Sequence, residues 1–143
     1  MINFKNLTEK EIALDPLIRI GNHISENENI GEKAEISVVF VGTGRMRKLN
    51  KKYGHKNRVT DVLSFSPEAI FAKNNVLGEI VICLREVQKN AKRRDSPFEK
   101  ELGFCLIHGI LHLLGYEHTK NIKDAKIMKA KENQYLEFFK TIS

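Results

Sequence analysis

Apolar residues recur along the chain at two spacings, and each change of spacing marks a change of element. From Glu35 to Val41, Ile36, Val38 and Phe40 alternate with Val39 and Val41 before the run turns wholly apolar, which predicts a strand buried on both faces. Val62 to Phe65 and Leu77 to Leu84 are rich in β-branched residues and bounded by Ser66-Pro67 and Asn74-Asn75, so they read as the next strands. Met1 to Phe4, with Ile2 and Phe4 on one side, forms a shorter one. Elsewhere the spacing is helical. Asp15 as N-cap and Pro16 in the first turn open a helix whose Leu17, Ile18 and Ile24 face inward, until the polar run Ser25 to Asn29. Thr43 caps a second helix, with Met46, Leu49 and Tyr53 inside and Gly54 placed to end it. A helix from about Arg85 to Arg94 leads into a longer one from about Pro97 to Leu114, where Ser96, Pro97 and Glu99 make a capping box with proline at the first helical position. A last helix, about Ile122 to Phe139, packs through Ile122, Ala125, Met128, Tyr135, Leu136 and Phe139.

This order describes an α+β fold, a small mixed β-sheet covered by helices. The 143 residues suffice for one domain, residues 1–143, with its own core. Neither an internal repeat nor a linker-like stretch interrupts it. Cys83 and Cys105 lie in apolar segments and read as reduced packing residues. With no run of roughly 18 apolar residues and no basic-then-apolar N-terminal segment, a cytoplasmic protein without membrane contact is expected.

Charge changes the picture. Lys and Arg total 24 against 18 Asp and Glu, a net +6 that favours an anionic partner. Arg45, Arg47, Lys48, Lys51, Lys52, Lys56 and Arg58 form a block without an acid, with His55 among them, running straight into Thr60-Asp61 and a strand. Lys89, Lys92, Arg93 and Arg94 form a second cluster ahead of the long helix. Together these could line a track for phosphates, with affinity that falls steeply as salt rises. The lysines of the last helix alternate with Asp124, Glu132 and Glu137 and read as plain surface.

The chemistry concentrates between His108 and His118, which hold three of the five histidines. His108 and His112 are one helical turn apart, so their imidazoles leave one face. Gly115 lets the helix stop in a left-handed turn that can return His118 toward them. Three imidazoles leave a zinc ion one open position, where a water's pKa can fall to roughly 7. The surrounding helix is apolar on nearly all sides, through Leu102, Phe104, Leu106, Ile107, Ile110, Leu111 and Leu113. A zincin-like metal site on a buried helix follows. Cys105, three residues before His108, is a less favoured fourth ligand that would close the site. Nickel and copper also accept three imidazoles, so one Zn2+ or another divalent transition metal is expected.

A His-Glu-x-x-His peptidase places its general base directly after the first histidine, where this chain has Gly109. A peptidase reading therefore lacks its base. Glu117, beside His118, is a candidate replacement, or a partner to a histidine.

The segment from Glu101 through His118, with His-Gly-x-Leu-His-Leu-x-Gly-Tyr-x-His, resembles the signature of the YbeY family of bacterial metal-dependent endoribonucleases. Leu49 to Phe65, with Leu-Asn-x-x-Tyr and Thr-Asp-Val-Leu-Ser-Phe, and Leu77-Gly78-Glu79-Ile80-Val81-Ile82 are similar to two further blocks of that family. The resemblance implies a zinc-like ion on His108, His112 and His118, and cleavage of single-stranded RNA. It also implies work at the 3′ end of small-subunit ribosomal RNA, and ribosome quality control with the ribosome or its proteins as partners. Gly54 stands where the family usually has an arginine, and Asn57 and Val59 replace a later Asp and Pro. Glu117 and Glu79 keep the charge of the family's aspartates. Arg58 is then the candidate catalytic cation to hold the phosphate. A non-catalytic, zinc-stabilised RNA-binding assembly factor is the alternative, and a zinc hydrolase of another substrate class a third.

Overall fold

A computed structural model of the chain describes residues 1–31, 34–53, 58–65, 76–117 and 121–143. Their strands are β1 (Ile2–Asn6), β2 (Glu35–Val41), β3 (Val62–Phe65) and β4 (Val76–Cys83). Their helices are α1 (Asp15–Asn27), α2 (Thr43–Tyr53), α3 (Leu84–Arg93), α4 (Phe98–Leu113) and α5 (Ile122–Ile142). The sheet runs β1-β2-β4-β3. β1, β2 and β4 are parallel, and β3 lies antiparallel to β4 on the outer edge. This is the α+β arrangement with a mixed sheet that the patterning predicts.

The alternation in the strands sorts two cores. Ile36, Val38 and Phe40 of β2 and Ile80 and Ile82 of β4 pack against Leu17, Ile20, Leu106, Ile107, Ile110, Tyr135 and their neighbours on α1, α4 and α5. On the other face Val41, Val81 and Cys83 meet Met46 of α2, with Val39, Leu49, Leu63 and Phe65 packed around them. In β3, Leu63 and Phe65 join this second cluster while Val62 joins the first. The edge strand is thus sandwiched between α2 and α4, as a period of two requires.

α1, α3 and α4 end alike. Asn29 (φ 57°), Asp95 (φ 51°) and Gly115 (φ 96°) each take the left-handed conformation. The next residue's N–H then reaches back five positions, Ile30 to Ser25, Ser96 to Ala91 and Tyr116 to Leu111, satisfying the last-turn carbonyls. Gly115 therefore does what its position predicts.

The middle case corrects the capping box. Ser96 belongs to the end of α3, so α4 begins one residue later with Pro97 as its N-cap and no side-chain cap bond. Its hydroxyl is buried without a partner among the described residues. At α1 the N-cap is Leu14, and Asp15 sits in the first turn, where its charge suits the helix dipole. α5 starts as predicted, with the Asn121 side chain accepting from Asp124 N–H at 2.8 Å. Ile122 is 76% exposed, outside the stripe it was expected to join, because the inward face settles on Met128, Glu132, Tyr135 and Phe139.

Candidate functional site

Two glycines bring α4 down onto the sheet. A Cβ at Gly109 would stand 2.9 Å from Ile80 Cγ2, and one at Gly78 would fall 2.4 Å from Leu113 Cδ2 and 2.7 Å from the Phe65 carbonyl. Without side chains there, helix backbone and strand approach more closely than ordinary packing allows. The Ser64 hydroxyl adds a clamp, donating to the Gly109 carbonyl at 3.1 Å. The residue that removes a peptidase's base is thus the one that seats the helix.

This seating leaves a cavity of about 340 Å³ between α4 and the edge strand, lined by Val62, Leu63, Ser64, His108, His112 and Leu113. His108 and His112 share one face, as their spacing requires, and their Nε2 atoms lie 2.9 Å apart. The rings meet edge to face, with centroids 4.4 Å apart and planes at 78°. His108 Nδ1 faces Glu132 Oε2 at 3.0 Å. A carboxylate only accepts, so Nδ1 is the donor in this contact, and Nε2 is left facing His112.

Imidazole nitrogens so arranged fit a zinc-class ion. At about 2.0–2.1 Å from the metal, tetrahedral nitrogens lie roughly 3.3 Å apart, a few tenths of an ångström beyond the 2.9 Å seen. His118 lies outside the described residues, and no cluster of three ligating side chains occurs among those described. Cys105 points elsewhere: its thiol donates to Asp61 Oδ2 at 3.6 Å. Burial, with the nearby Asp61 carboxylate, pushes that thiol well above its usual value. It is a packing residue, as the sequence favours, in a small polar knot where Asn90 Nδ2 also donates to Asp61 at 3.4 Å.

Glu117 and Arg58 are both exposed, and neither lines the cavity. The Arg58 carbonyl accepts from the buried Asn50 side chain at 3.0 Å, which fixes the backbone ahead of β3. Arg45, Arg47, Lys48, Lys51 and Lys52 all project from the exposed side of α2, while Met46 and Asn50 face in. None of these cations forms an ion pair among the described residues. Lys56, with His55 and Gly54, lies outside the described residues. The Tyr53 ring meets Phe65 edge to face at 5.2 Å, tying the end of the basic helix to the end of β3.

Two carboxylates escaped the sequence reading. Glu132 passed as surface among lysines, yet it is 4% exposed. Its place four residues after Met128 and three before Tyr135, on the apolar stripe, was the available signal. Glu28, at the end of α1, accepts from Tyr116 at 2.6 Å and Lys131 at 3.0 Å, and from the Tyr135 hydroxyl. Burial alone would raise the Glu28 carboxyl, but these donors outweigh it and hold it below its usual value. The hydrogen bond to Glu28 in turn pushes the Tyr116 phenol up to about 12. Glu28 thereby anchors the turn that follows α4 to both α1 and α5. No local pattern announces that contact.

A family model described as Endoribonuclease YbeY matches residues 3–140. A protein of that name from Staphylococcus saprophyticus is 43% identical, over 94% of this chain and 93% of its own. Another, from Bacillus cereus, is 33% identical over 97% of this chain and 96% of its own. The solution structure of TM1509 from Thermotoga maritima matches with a TM-score of 0.67 at 32% identity, covering 97% of this chain and 89% of that one.

Proposed function

The chain belongs to the endoribonuclease YbeY family, and from that premise we propose that it cleaves single-stranded RNA at a zinc ion held by His108, His112 and His118. Its task in this reading is maturation of the 3′ end of small-subunit ribosomal RNA, with ribosome quality control beside it. Kinship makes it an RNA-cleaving hydrolase. The observation that supports the metal is the convergence of two imidazole Nε2 atoms on the rim of a cavity, with one ring oriented by a carboxylate. Such an ion would polarise a phosphodiester oxygen or lower the pKa of a water to about 7.

The chain's own residues supply the rest. The cavity, about 340 Å³, is at the lower end of ligand pockets, roughly 300–1,000 Å³, and suits an unpaired nucleotide better than a stacked pair. α2 covers one face of β3 and α4 the other. A strand of RNA crossing that edge would meet the basic residues of α2 and then the two histidines. Arg58, just ahead of β3, is the nearest of these cations in sequence to the cavity wall, and in this reading it holds the phosphate while the bond breaks. Glu117, beside His118, would move a proton or brace a histidine. No helix among the described residues is long and apolar enough to cross a membrane.

Single-turnover cleavage of a single-stranded ribosomal-RNA-like oligonucleotide tests this, using metal-loaded protein, chelated protein, and chelated protein given zinc again. Cleavage that vanishes and returns with zinc is the expected result. Tight binding without cleavage in every sample would mean an assembly factor instead. The product ends separate two nucleophiles: a cyclic phosphate reports the RNA's own 2′-hydroxyl, a linear one reports water.

A further inference from the structure

The inward stripe of α5 has one irregularity. Met128, Tyr135 and Phe139 are 0%, 0% and 1% exposed, and Glu132, in register with them, is 4% exposed. At spacings of four, three and four, this is a core seam in which a leucine would be the ordinary residue. A carboxylate placed there must give up its hydration, and a paired buried charge is often no more stabilising than an apolar side chain of similar volume. Among the described residues it meets His108 Nδ1, at 3.0 Å. A local rule broken in the core, at the point of contact with a histidine of the site, marks function over stability.

We propose that Glu132 is a positioning residue, which holds His108 with its proton on Nδ1 and its Nε2 aimed at His112, and which the fold retains for metal affinity at the expense of its own stability. The inference rests on the zinc reading and adds a residue to it. By accepting from Nδ1–H, the carboxylate fixes ring orientation and makes the far nitrogen a stronger donor. Among the described residues, no α5 side chain lines the cavity itself. Lys131, the preceding residue, serves Glu28 instead.

The test compares Glu132→Leu and Glu132→Gln with the unaltered protein by zinc competition against a chromophoric chelator, by the visible absorption of the cobalt-loaded form, and by thermal unfolding of the metal-free form. The leucine variant should bind zinc about 10–100-fold more weakly and shift the cobalt bands, while its metal-free Tm is equal or higher. Glutamine, whose carbonyl still accepts, should recover part of the affinity and the original band shape. Should leucine fail to fold, or lower the metal-free Tm in step with zinc affinity, the residue is merely structural and the proposal falls. Unchanged zinc affinity and cobalt spectra in both variants would also overturn it, with the zinc reading intact. If the unaltered protein takes up no zinc, the zinc reading itself fails and this inference with it.

Discussion

Gly109→Ala isolates the contact that seats α4. In an unhindered helix the change stabilises by about 1 kcal/mol, because alanine loses less backbone entropy than glycine. Here the new Cβ would stand 2.9, 3.2 and 3.3 Å from the Cγ2, Cδ1 and Cγ1 atoms of Ile80. Ile80 is fully buried in β4, so the clash has no flexible end to absorb it. Overpacking of this kind costs about 1–3 kcal/mol, which outweighs the helix gain and leaves a net destabilisation of about 1 kcal/mol. Ile80→Ala removes all three clashing atoms, at about 2–5 kcal/mol of its own. In that background Gly109→Ala should stabilise, giving a coupling of about 2 kcal/mol in the double-mutant cycle. Equilibrium urea unfolding followed by far-UV circular dichroism measures all four proteins. A Gly109→Ala protein about 1 kcal/mol more stable than the original, with a cycle that closes to within about 0.5 kcal/mol, would refute the close approach. Gly109→Glu completes a peptidase-like His-Glu-x-x-His and should fail to fold well, since its side chain meets the same isoleucine.

Other outcomes are open to direct measurement. Tyr116→Phe leaves the buried Glu28 short of one donor and should destabilise by about 1–3 kcal/mol in denaturant titrations. Glu28 is held below its usual carboxyl value, near 4.5, so its contribution is complete above that pH and disappears as pH falls through the lower folded value. Glu28→Gln should therefore flatten the acid limb of a stability profile while lowering the plateau. Cys105→Ala should leave zinc stoichiometry unchanged, and Cys105 should resist alkylation in the folded protein at neutral pH, as its burial and raised thiol require. His112→Ala should abolish RNA cleavage with the circular dichroism spectrum largely kept; full activity would sink the metal reading. Neutralising Lys48 and Lys51 should weaken RNA binding and lower its logarithmic salt slope by about 0.7 for each phosphate that the protein ceases to neutralise.

Much of the candidate site was legible in the chain because its signals are local. His108 and His112 share a face by helical spacing alone, and Gly115 ends the helix in a left-handed conformation that glycine adopts without steric cost. β2 and β3 fall on the predicted residues because alternation in the one, and a short, mostly apolar run bounded by turn residues in the other, need no partner to be recognised. The capping box failed for an equally local reason that patterning cannot rank: Ser96 could start one helix or finish another, and the left-handed Asp95 settled it.

What escaped depends on residues far apart. Glu132 meets His108 across 24 positions, and Glu28 meets Tyr116 across 88. Whether a glutamate lies on a surface or in a seam is set by which face a helix turns toward its neighbours, and the stripe of Met128, Tyr135 and Phe139 was read in register while the polar residue within it was passed over. Gly109 shows both sides. Its identity announced that a peptidase's base was missing, but the reason, a strand isoleucine lying against the helix backbone, exists only once sheet and helix have packed. Spacing along the chain therefore determined which side chains could share a face, while long-range packing determined which carboxylates would orient them, because contact between distant segments leaves no periodicity to read.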